Sequence, residues 1–298
     1  MKTIGNIEIK GLKKIKTGKV REVFETGDNL LIVTTDRISA FDYVLPSLIP
    51  YKGILLNQIS LFWFNYLNQK IKNHIVQSDF DKFPDELKNY EEILRGRSVM
   101  VKKLDILPVE CIVRGYITGS AWNEYLETGK VGDEKLPAGL EFCSKFPEPI
   151  FTPTTKESEG HDMPLSFKEA AEKFGKEIME LIKEKSIDIY KSAADYAINK
   201  GIIIADTKFE FGLAENGDLI LADEVLTPDS SRFWFKDDYV VGKNQKSFDK
   251  QFLRDYLLSS DWDRNSVPPE LPEEIISKTS ERYITAYENI VGKKFKIS

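Results

Sequence analysis

Residues 202–212 of this 298-residue chain read IIIADTKFEFG, an apolar run that continues into alternating charged and aromatic residues. As a β-strand, this stretch places Asp206, Lys208 and Glu210 on one face, because successive side chains point to opposite sides of a strand. The three isoleucines indicate a strand that is largely buried. The pattern therefore predicts charged groups that emerge from a buried strand, which favours a functional site.

A turn signal follows this strand. Asn216-Gly217 is the strongest short hairpin signal and favours a two-residue type I′ turn, which would place Glu210 directly opposite Asp223. Two facing carboxylates repel unless a cation lies between them, and carboxylate oxygens suit Mg²⁺ that holds substrate phosphates. The sequence thus predicts a magnesium site at Glu210 and Asp223. A solvated face of an edge hairpin is the alternative, and a one-residue bulge would break the pairing.

The other elements are ordered as in an α+β fold, with strands first and helices later. Strands are predicted at residues 7–17, 20–25, 30–34, 99–104 and 110–117. Helices are predicted at residues 55–75, 167–199, 247–259 and 273–291, with a break in the second near Lys185-Ser186. The chain length favours two lobes. We expect a β-rich lobe over residues 1–104 and a larger mixed lobe over residues 105–298.

Composition narrows the class of protein. The net charge of −6, from 42 basic and 48 acidic residues, gives no electrostatic reason to expect nucleic acid as a partner. No apolar run approaches membrane-spanning length, and the amino terminus lacks the apolar core of a signal peptide. Two cysteines in such a chain do not indicate a secreted disulfide scaffold. We expect a cytoplasmic enzyme that acts on small molecules.

Two arginines are candidates for an anion site. Arg232 follows small hydroxyl residues in TPDSSRFW at 227–234, and a guanidinium fork matches phosphate oxygens. Arg114 ends an apolar strand shortly before Ser120, a candidate N-cap of a helix whose start offers backbone N–H groups to an anion. The alternatives are a structural salt bridge at Arg114 and, for the segment with Arg232, a capped helix start or a surface turn.

Further candidates lie near the amino terminus and in a proline-rich segment. Gly18-Lys19 between two strands would let backbone and a lysine approach phosphate, although the chain has no Walker A motif. Residues 36–42, DRISAFD, are dense in polar groups. His161 lies in residues 136–164, which we expect to form a substrate-covering loop. Two histidines and two separated cysteines offer no zinc spacing, and no GxSxG elbow occurs.

With these residues assembled, the chain closely resembles the SAICAR synthetase family of purine biosynthesis. The longest matching patterns are LPVECIVRGYITGS at 107–120, IADTKFEFG at 204–212 and ADEVLTPDSSRFW at 222–234. Shorter matches are GKVR at 18–21, DRISA at 36–40 and FTPTTK at 151–156. The chain looks like the longer, single-function form of the family known from yeast.

The resemblance implies an ATP-dependent ligase. Such an enzyme joins the carboxylate of carboxyaminoimidazole ribonucleotide (CAIR) to the amine of L-aspartate, through a phosphorylated carboxylate, and gives SAICAR, ADP and phosphate. It implies an α+β fold, with an amino-terminal lobe distantly like that of protein kinases and ATP bound between the lobes. ATP and Mg²⁺ are the expected cofactors, and a monomer or small homo-oligomer is expected. A kinase, another ATP-dependent ligase and a silent nucleotide-binding module are the alternatives.

The resemblance also implies roles for individual residues. Positions associated with ATP are Gly18, Lys19, Lys102, Lys103, Glu210 and Asp223, the last two as magnesium ligands. Positions associated with the nucleotide substrate are Arg114, Ser120, Lys208 and Arg232. Positions in the substrate pocket, not divided between CAIR and aspartate, are Asp36, Arg37, Ser39 and His161. The expected catalytic residues are Lys19, Lys208 and Asp206.

Overall fold

The computed structural model describes residues 2–156, 163–248 and 250–296. The chain divides into two compact units. Unit 1 comprises Met1–Phe62, His74–Lys103 and Phe248–Ser298, and unit 2 comprises Trp63–Asn73 and Leu104–Ser247. Within the described ranges, no helix combines the length and the apolar character required to cross a membrane.

The elements are numbered in chain order. Strands lie at β1 Lys14–Thr17, β2 Arg21–Thr26, β3 Asn29–Thr34, β4 Arg37–Ala40, β5 Tyr43–Leu48, β6 Ile75–Gln77, β7 Ser98–Lys102, β8 Asp105–Ile106, β9 Val109–Tyr116, β10 Lys130–Val131, β11 Glu134–Lys135, β12 Lys145–Thr155, β13 Ile202–Leu213, β14 Leu219–Ala222 and β15 Ser231–Phe235. Helices lie at α1 Lys52–Tyr66, α2 Asp85–Lys88, α3 Glu91–Leu94, α4 Ser120–Thr128, α5 Phe167–Phe174, α6 Lys176–Ile198, α7 Gln251–Ser259 and α8 Glu273–Val291. The mixture of several sheets with helices confirms the predicted α+β class.

Unit 1 is built on a five-stranded antiparallel sheet in the order β1-β2-β3-β7-β6, with β4 and β5 as a separate hairpin. Alternate residues of β2 are buried, and Phe24 packs with Leu31 and Val33 of β3 in the core. The predicted strand at 7–17 begins only at Lys14. Ile7 and Ile9 contribute to the core from outside any strand, which explains why their apolar pattern resembled one.

The carboxyl-terminal helices α7 and α8 belong to unit 1, which differs from the predicted single lobe over 105–298. Leu253 and Leu257 of α7 and Tyr283 of α8 are buried in one cluster with Ile38 and Leu55. The apolar sides of these helices are therefore covered by residues far away in sequence. Sequence order alone does not reveal such a return of the chain.

Unit 2 is built on a six-stranded sheet whose central strand is β13. Strands β9 and β15 both pair with β13 at Asp206 and Thr207. Strands β8 and β14 both pair with it at Gly212 and Leu213. Between these two regions β13 changes its partners on both sides. Lys208 and Glu210, two of the three charged residues predicted to share one face, lie at this change of partners.

The predicted hairpin register is wrong by one residue. Glu210 pairs with Ala222, not with Asp223, and Leu213–Leu219 is the last pair before a five-residue loop. Within the loop, the Ala214 and Asp218 backbones are hydrogen bonded, as are Gly217 and Ala214. Gly217 has a positive φ of 82°, whereas Asn216 does not. A type I′ turn requires positive φ at both residues, so the two-residue turn does not form.

Three other boundaries differ from the predictions. The long helical segment after residue 167 breaks at Gly175, which has a φ of 100°, and not near Lys185-Ser186. Helix α1 ends at Tyr66, well before residue 75. The segment expected as a covering loop contains the eleven-residue strand β12, which pairs with β9. Proline-rich composition concealed this strand because proline is rarely found inside sheets.

Candidate active site

Asp206 lies between two arginines on neighbouring strands. In the sheet register, Arg114 of β9 and Arg232 of β15 each lie opposite Asp206 of β13. Arg114 Nη1 donates to Asp206 Oδ2 at 3.3 Å, and Arg232 Nη1 donates to the same oxygen. Arg114 Nε also donates to Thr152 Oγ1 at 3.0 Å. The two predicted anion-binding arginines are therefore brought together, with one carboxylate between them.

The start of helix α4 adjoins this arginine pair. Ser120 is the first residue of α4, and Gly119, with a φ of 58°, is the N-cap in place of the expected Ser120. Arg114 Nη2 lies 3.5 Å from Ser120 Oγ. A Cβ at Gly119 would be 2.5 Å from Arg232 Nη2, so glycine lets the guanidinium lie against the helix start. Guanidinium groups at a helix amino terminus suit an anion.

Lys208 forms a second cluster on the same face of β13. Its Nζ pairs with Glu110 of β9 and lies 3.1 Å from Glu210 Oε1. Glu210 also pairs with Lys156, which follows the end of β12. The Lys208–Glu210 contact confirms that alternate residues of β13 share a face, because the two residues are two apart on one strand.

Asp223 lies next to this second cluster although it is not opposite Glu210. Strand β14 ends at Ala222, and Asp223 has the left-handed backbone conformation, with a φ of 64°. A non-glycine residue in this conformation is strained and is frequent at functional sites. Asp223 is close enough to Lys208 for its charge to raise the pKa of that lysine. The two predicted magnesium ligands thus lie in the same neighbourhood, with Asp223 at a bend after β14 and not in the cross-strand pair of Glu210.

The pKa values of two buried cations reflect this arrangement. Burial alone would lower the pKa of Lys208, but the carboxylates of Glu210, Glu110 and Asp223 outweigh burial and raise it. For Arg114, burial lowers the pKa, and Asp206 opposes that effect. Lys208 therefore remains positively charged near neutral pH, and Arg114 does so because a guanidinium is not deprotonated in proteins.

Sequence reasoning missed three polar groups of this face. Glu110 and Lys156 both lie within motifs that matched the family, but their roles depend on contacts with β13. Thr152 contacts Arg114 from β12, a strand that was expected to be a loop. Their presence in matching motifs was a usable signal, whereas their pairing partners were not visible in the sequence.

In unit 1, Gly18 and Lys19 form the turn between β1 and β2. Lys19 is exposed, and its Nζ lies 2.5 Å from Asp42 Oδ1. Lys102 and Lys103 follow one another at the exposed end of β7, and Lys103 pairs with Glu25 at 3.1 Å. All four residues expected for ATP in this unit are thus near the surface.

The polar motif at 36–42 is mainly internal. Asp36 is fully buried, and it accepts hydrogen bonds from the backbone of Ile4 and Gly53 and from Arg97. Arg37 is 8% exposed and donates only toward protein acceptors within the described chain. These contacts give both residues structural roles, and the expected substrate contacts stay predictions.

Ser39 and His161 are the two remaining residues expected in the substrate pocket. Ser39 is half-buried, and Lys250 Nζ lies 3.4 Å from its hydroxyl. His161 lies outside the described residues.

A buried lysine of perturbed pKa among carboxylates, at the centre of a buried sheet, is typical of the active site of an enzyme. The sequence profile of the family described as SAICAR synthetase matches residues 14–269. The chain belongs to this family. Its members are ATP-dependent ligases of purine biosynthesis that make SAICAR from CAIR and L-aspartate, so the predicted enzyme class and reaction are confirmed.

Individual relatives agree with this membership. The phosphoribosylaminoimidazole-succinocarboxamide synthase of Thermodesulfovibrio yellowstonii is 55% identical over 275 residues, which cover 92% of this chain and 94% of the relative. The structure of SAICAR synthase from Saccharomyces cerevisiae complexed with SAICAR has a TM-score of 0.91 and 45% identity, and covers 99% of this chain and 100% of that one. A SAICAR synthetase in complex with ADP has a TM-score of 0.68 and 26% identity, with 95% and 99% coverage.

Proposed function

We propose that this chain binds CAIR and the ATP-linked cation on the charged face of β13 and there joins CAIR to L-aspartate. The division of charge along this strand is the observation that carries the proposal. Around Asp206, two arginines face one carboxylate. Around Lys208, the three carboxylates of Glu110, Glu210 and Asp223 outnumber the lysines. One end of the face therefore suits an anion, and the other suits a cation.

The positive end is assigned to the phosphate of CAIR. Arg232 has 27% of its side chain exposed, so a ligand can reach its guanidinium. Arg114 is nearly buried, and it contributes to the site through its ion pair with Asp206. Ser120 adds a hydroxyl and the start of helix α4. Guanidinium groups and helix amino termini are preferred partners of phosphate.

The negative end is assigned to Mg²⁺. Among the described residues, no group of three or more histidine, cysteine or acidic side chains is arranged to hold a metal ion. This fits magnesium, which commonly takes one or two carboxylates and completes its shell with water and substrate phosphates. Glu210 and Asp223 would hold the ion. In the structure, the ammonium groups of Lys156 and Lys208 neutralise the negative charge of these carboxylates. When bound, the ion supplies neutralisation of the phosphate charge during transfer.

The chemistry requires activation of a poor acylating agent. An oxygen of the CAIR carboxylate attacks the γ-phosphorus of ATP, the bond to the β-phosphate oxygen breaks, and ADP leaves. The aspartate amine then attacks the acyl carbon, the phosphate leaves, and the amine nitrogen loses a proton. Such transfers depend on positioned charges more than on a covalent protein group. We assign Lys208 to orienting the reacting oxygens and Asp206 to holding both arginines.

ATP contacts in unit 1 are assigned to the surface residues described above. Gly18 and Lys19 would meet the phosphates, and Lys102 and Lys103 would lie near the adenine. The ADP-bound structure of a relative supports nucleotide binding by this fold. The expected monomer or small homo-oligomer and the expected cytoplasmic location stay predictions.

Coupled product formation tests the proposed reaction. Purified protein with Mg²⁺, ATP, CAIR and L-aspartate should form ADP and SAICAR in equal amounts. Chromatography of the reaction mixture measures both products. Omission of aspartate should abolish SAICAR formation and suppress ADP release. ADP formation that continues at full rate without aspartate and yields no amide would contradict a ligase and favour a kinase.

A further inference from the structure

The turn between β1 and β2 has four consecutive carbonyl oxygens that accept hydrogen bonds from the segment after β3. Arg37 donates to Gly18 O at 2.9 Å, to Lys19 O at 3.1 Å and to Arg21 O at 3.4 Å. Val20 O accepts from the backbone N–H of Thr35 at 2.9 Å and from its hydroxyl at 2.8 Å. Hydrogen bonds from Arg37 and Thr35 therefore fix the backbone of the whole turn on one side.

Arg37 is itself fixed by buried partners. Its Nη1 donates to Glu22 Oε1 at 2.6 Å and to Asn6 Oδ1 at 3.2 Å. The Glu22 side chain is 1% exposed and also accepts from Thr17 Oγ1 at 2.7 Å, on the residue before the turn. A buried guanidinium with a buried carboxylate partner is costly to disturb. Arg37 thus links the turn rigidly to the strands on either side of it.

This arrangement sets the direction of the peptide N–H groups. None of the described peptide bonds is cis, and in a trans peptide the N–H points opposite to the carbonyl of the preceding residue. Because Gly18 O and Lys19 O point toward Arg37, the N–H groups of Lys19 and Val20 point away from it. Successive N–H groups on one side of a turn form a concave site for anions.

We propose that Arg37 is a positioning residue that holds the Gly18–Lys19 turn ready for the phosphates of ATP. The proposal deepens the proposed function, since it rests on Lys19 as the phosphate-binding residue. Arg37 acts through the backbone: it orients two N–H groups outward and fixes the base of the Lys19 side chain. This role does not require the direct contact between Arg37 and substrate that the family resemblance implies.

The test compares two buried arginines of unit 1. Arg37→Lys keeps the charge but removes the fork that reaches three carbonyls, so the KM for ATP should rise about tenfold. The KM values for CAIR and L-aspartate should stay within about twofold. Arg97→Lys is the matched control, because Arg97 is 1% exposed and donates to Thr34 and Asp36. It should lower the Tm and leave the KM for ATP unchanged.

A double mutant distinguishes a positioning role of Arg37 from general damage to the fold. In a Lys19→Ala background, Arg37→Lys should raise the KM for ATP by a smaller factor than in wild type, because the part of its effect that acts through the Lys19 side chain is already lost while the part that acts through the two N–H groups remains. Fully multiplicative effects, an unchanged KM for ATP in Arg37→Lys, or an equal rise for CAIR would overturn the inference. Wild-type kinetics of Lys19→Ala alone would overturn the proposed phosphate contact as well, so the two failures are distinguishable.

Thr35→Val keeps the test decisive if Arg37→Lys does not fold. Valine has nearly the same shape and removes the hydroxyl bond to Val20 O, together with the bond of 3.3 Å that the same hydroxyl accepts from the Arg37 backbone N–H. The KM for ATP should rise about two- to threefold, with the other two KM values unchanged. Amide hydrogen exchange of residues 18–21, measured without ligand, should become faster than in wild type. Unchanged exchange and an unchanged KM for ATP would overturn the inference.

Discussion

Arg114 and Asp206 lie directly opposite one another in the central sheet of unit 2 and form an ion pair of 3.3 Å. Both side chains are less than 10% exposed, although 92 residues separate them in sequence. Asp206 also pairs with Arg232. A single carboxylate therefore keeps two guanidinium groups close together, which leaves a net positive charge for a ligand.

Removal of this carboxylate should destabilise the protein strongly. Asp206→Asn leaves two arginines, one of them buried, without a counter-charge, so the free energy of unfolding should fall by about 3–5 kcal/mol. Asp218→Asn is the control, since its pair with Lys72 is largely exposed, and it should cost less than about 1 kcal/mol. Urea denaturation of both variants checks this. Equal losses of unfolding free energy in the two variants would show that the buried ion pair contributes no more to stability than the exposed one.

Glycine at position 119 should be required for substrate affinity. An alanine there would place its Cβ 2.5 Å from Arg232 Nη2, so the guanidinium must move, and the KM for CAIR should rise about tenfold or more. Gly129→Ala is the matched control at the other end of α4. It has a φ of 70° and no atom within 4 Å of the added Cβ, so it should lower stability only. Steady-state kinetics with varied CAIR distinguish the two variants.

Glu210 and Asp223 should set the magnesium requirement. Glu210→Gln and Asp223→Asn keep the shape of each side chain but remove a charge, so the Mg²⁺ concentration for half-maximal rate should rise about tenfold or more. Glu215→Gln, in the exposed loop after β13, should behave as wild type. Rates measured against free Mg²⁺ at saturating ATP test this. A wild-type magnesium response in both site variants would reject them as ligands.

Lys208 should remain charged through the alkaline range in which enzymes are assayed. Its pKa in the folded protein is raised above the ordinary 10.5, so its contribution to stability is complete below pH 10.5 and is lost only at higher pH. The difference in free energy of unfolding between wild type and Lys208→Met should therefore be constant from about pH 7 to 10. A difference that shrinks steadily across this range would indicate a lowered pKa. Denaturation at each pH provides the measurement.

The sequence allowed the site residues of β13 to be predicted more accurately than their partners. Alternation along one strand is local, so the shared face of Lys208 and Glu210 followed from the pattern alone. The position opposite Glu210 depended on the turn, and the five-residue loop moved it from Asp223 to Ala222. A five-residue loop centred on Asn216, in place of a two-residue loop, shifts every cross-strand pair by one residue.

Long-range contacts account for the other differences. Arg37 sits in a polar motif that matched the family, yet its partners are backbone carbonyls 16 to 19 residues earlier. Nothing in the motif distinguishes a guanidinium that binds substrate from one that binds the protein itself. The return of α8 to unit 1 is similar, because an apolar helix face does not specify what covers it.

The most direct test of the divided charge on β13 compares two substrates. Wild type should favour CAIR over the corresponding nucleoside, which lacks the phosphate, and Arg232→Gln should reduce that preference in kcat/KM by about 10- to 100-fold. The loss should come from a slower reaction with CAIR, while the nucleoside reacts as before. Arg95→Gln, at an exposed pair with Asp81, should leave the preference intact. If Arg232→Gln retains the full preference for CAIR, the phosphate does not bind at this end of the strand.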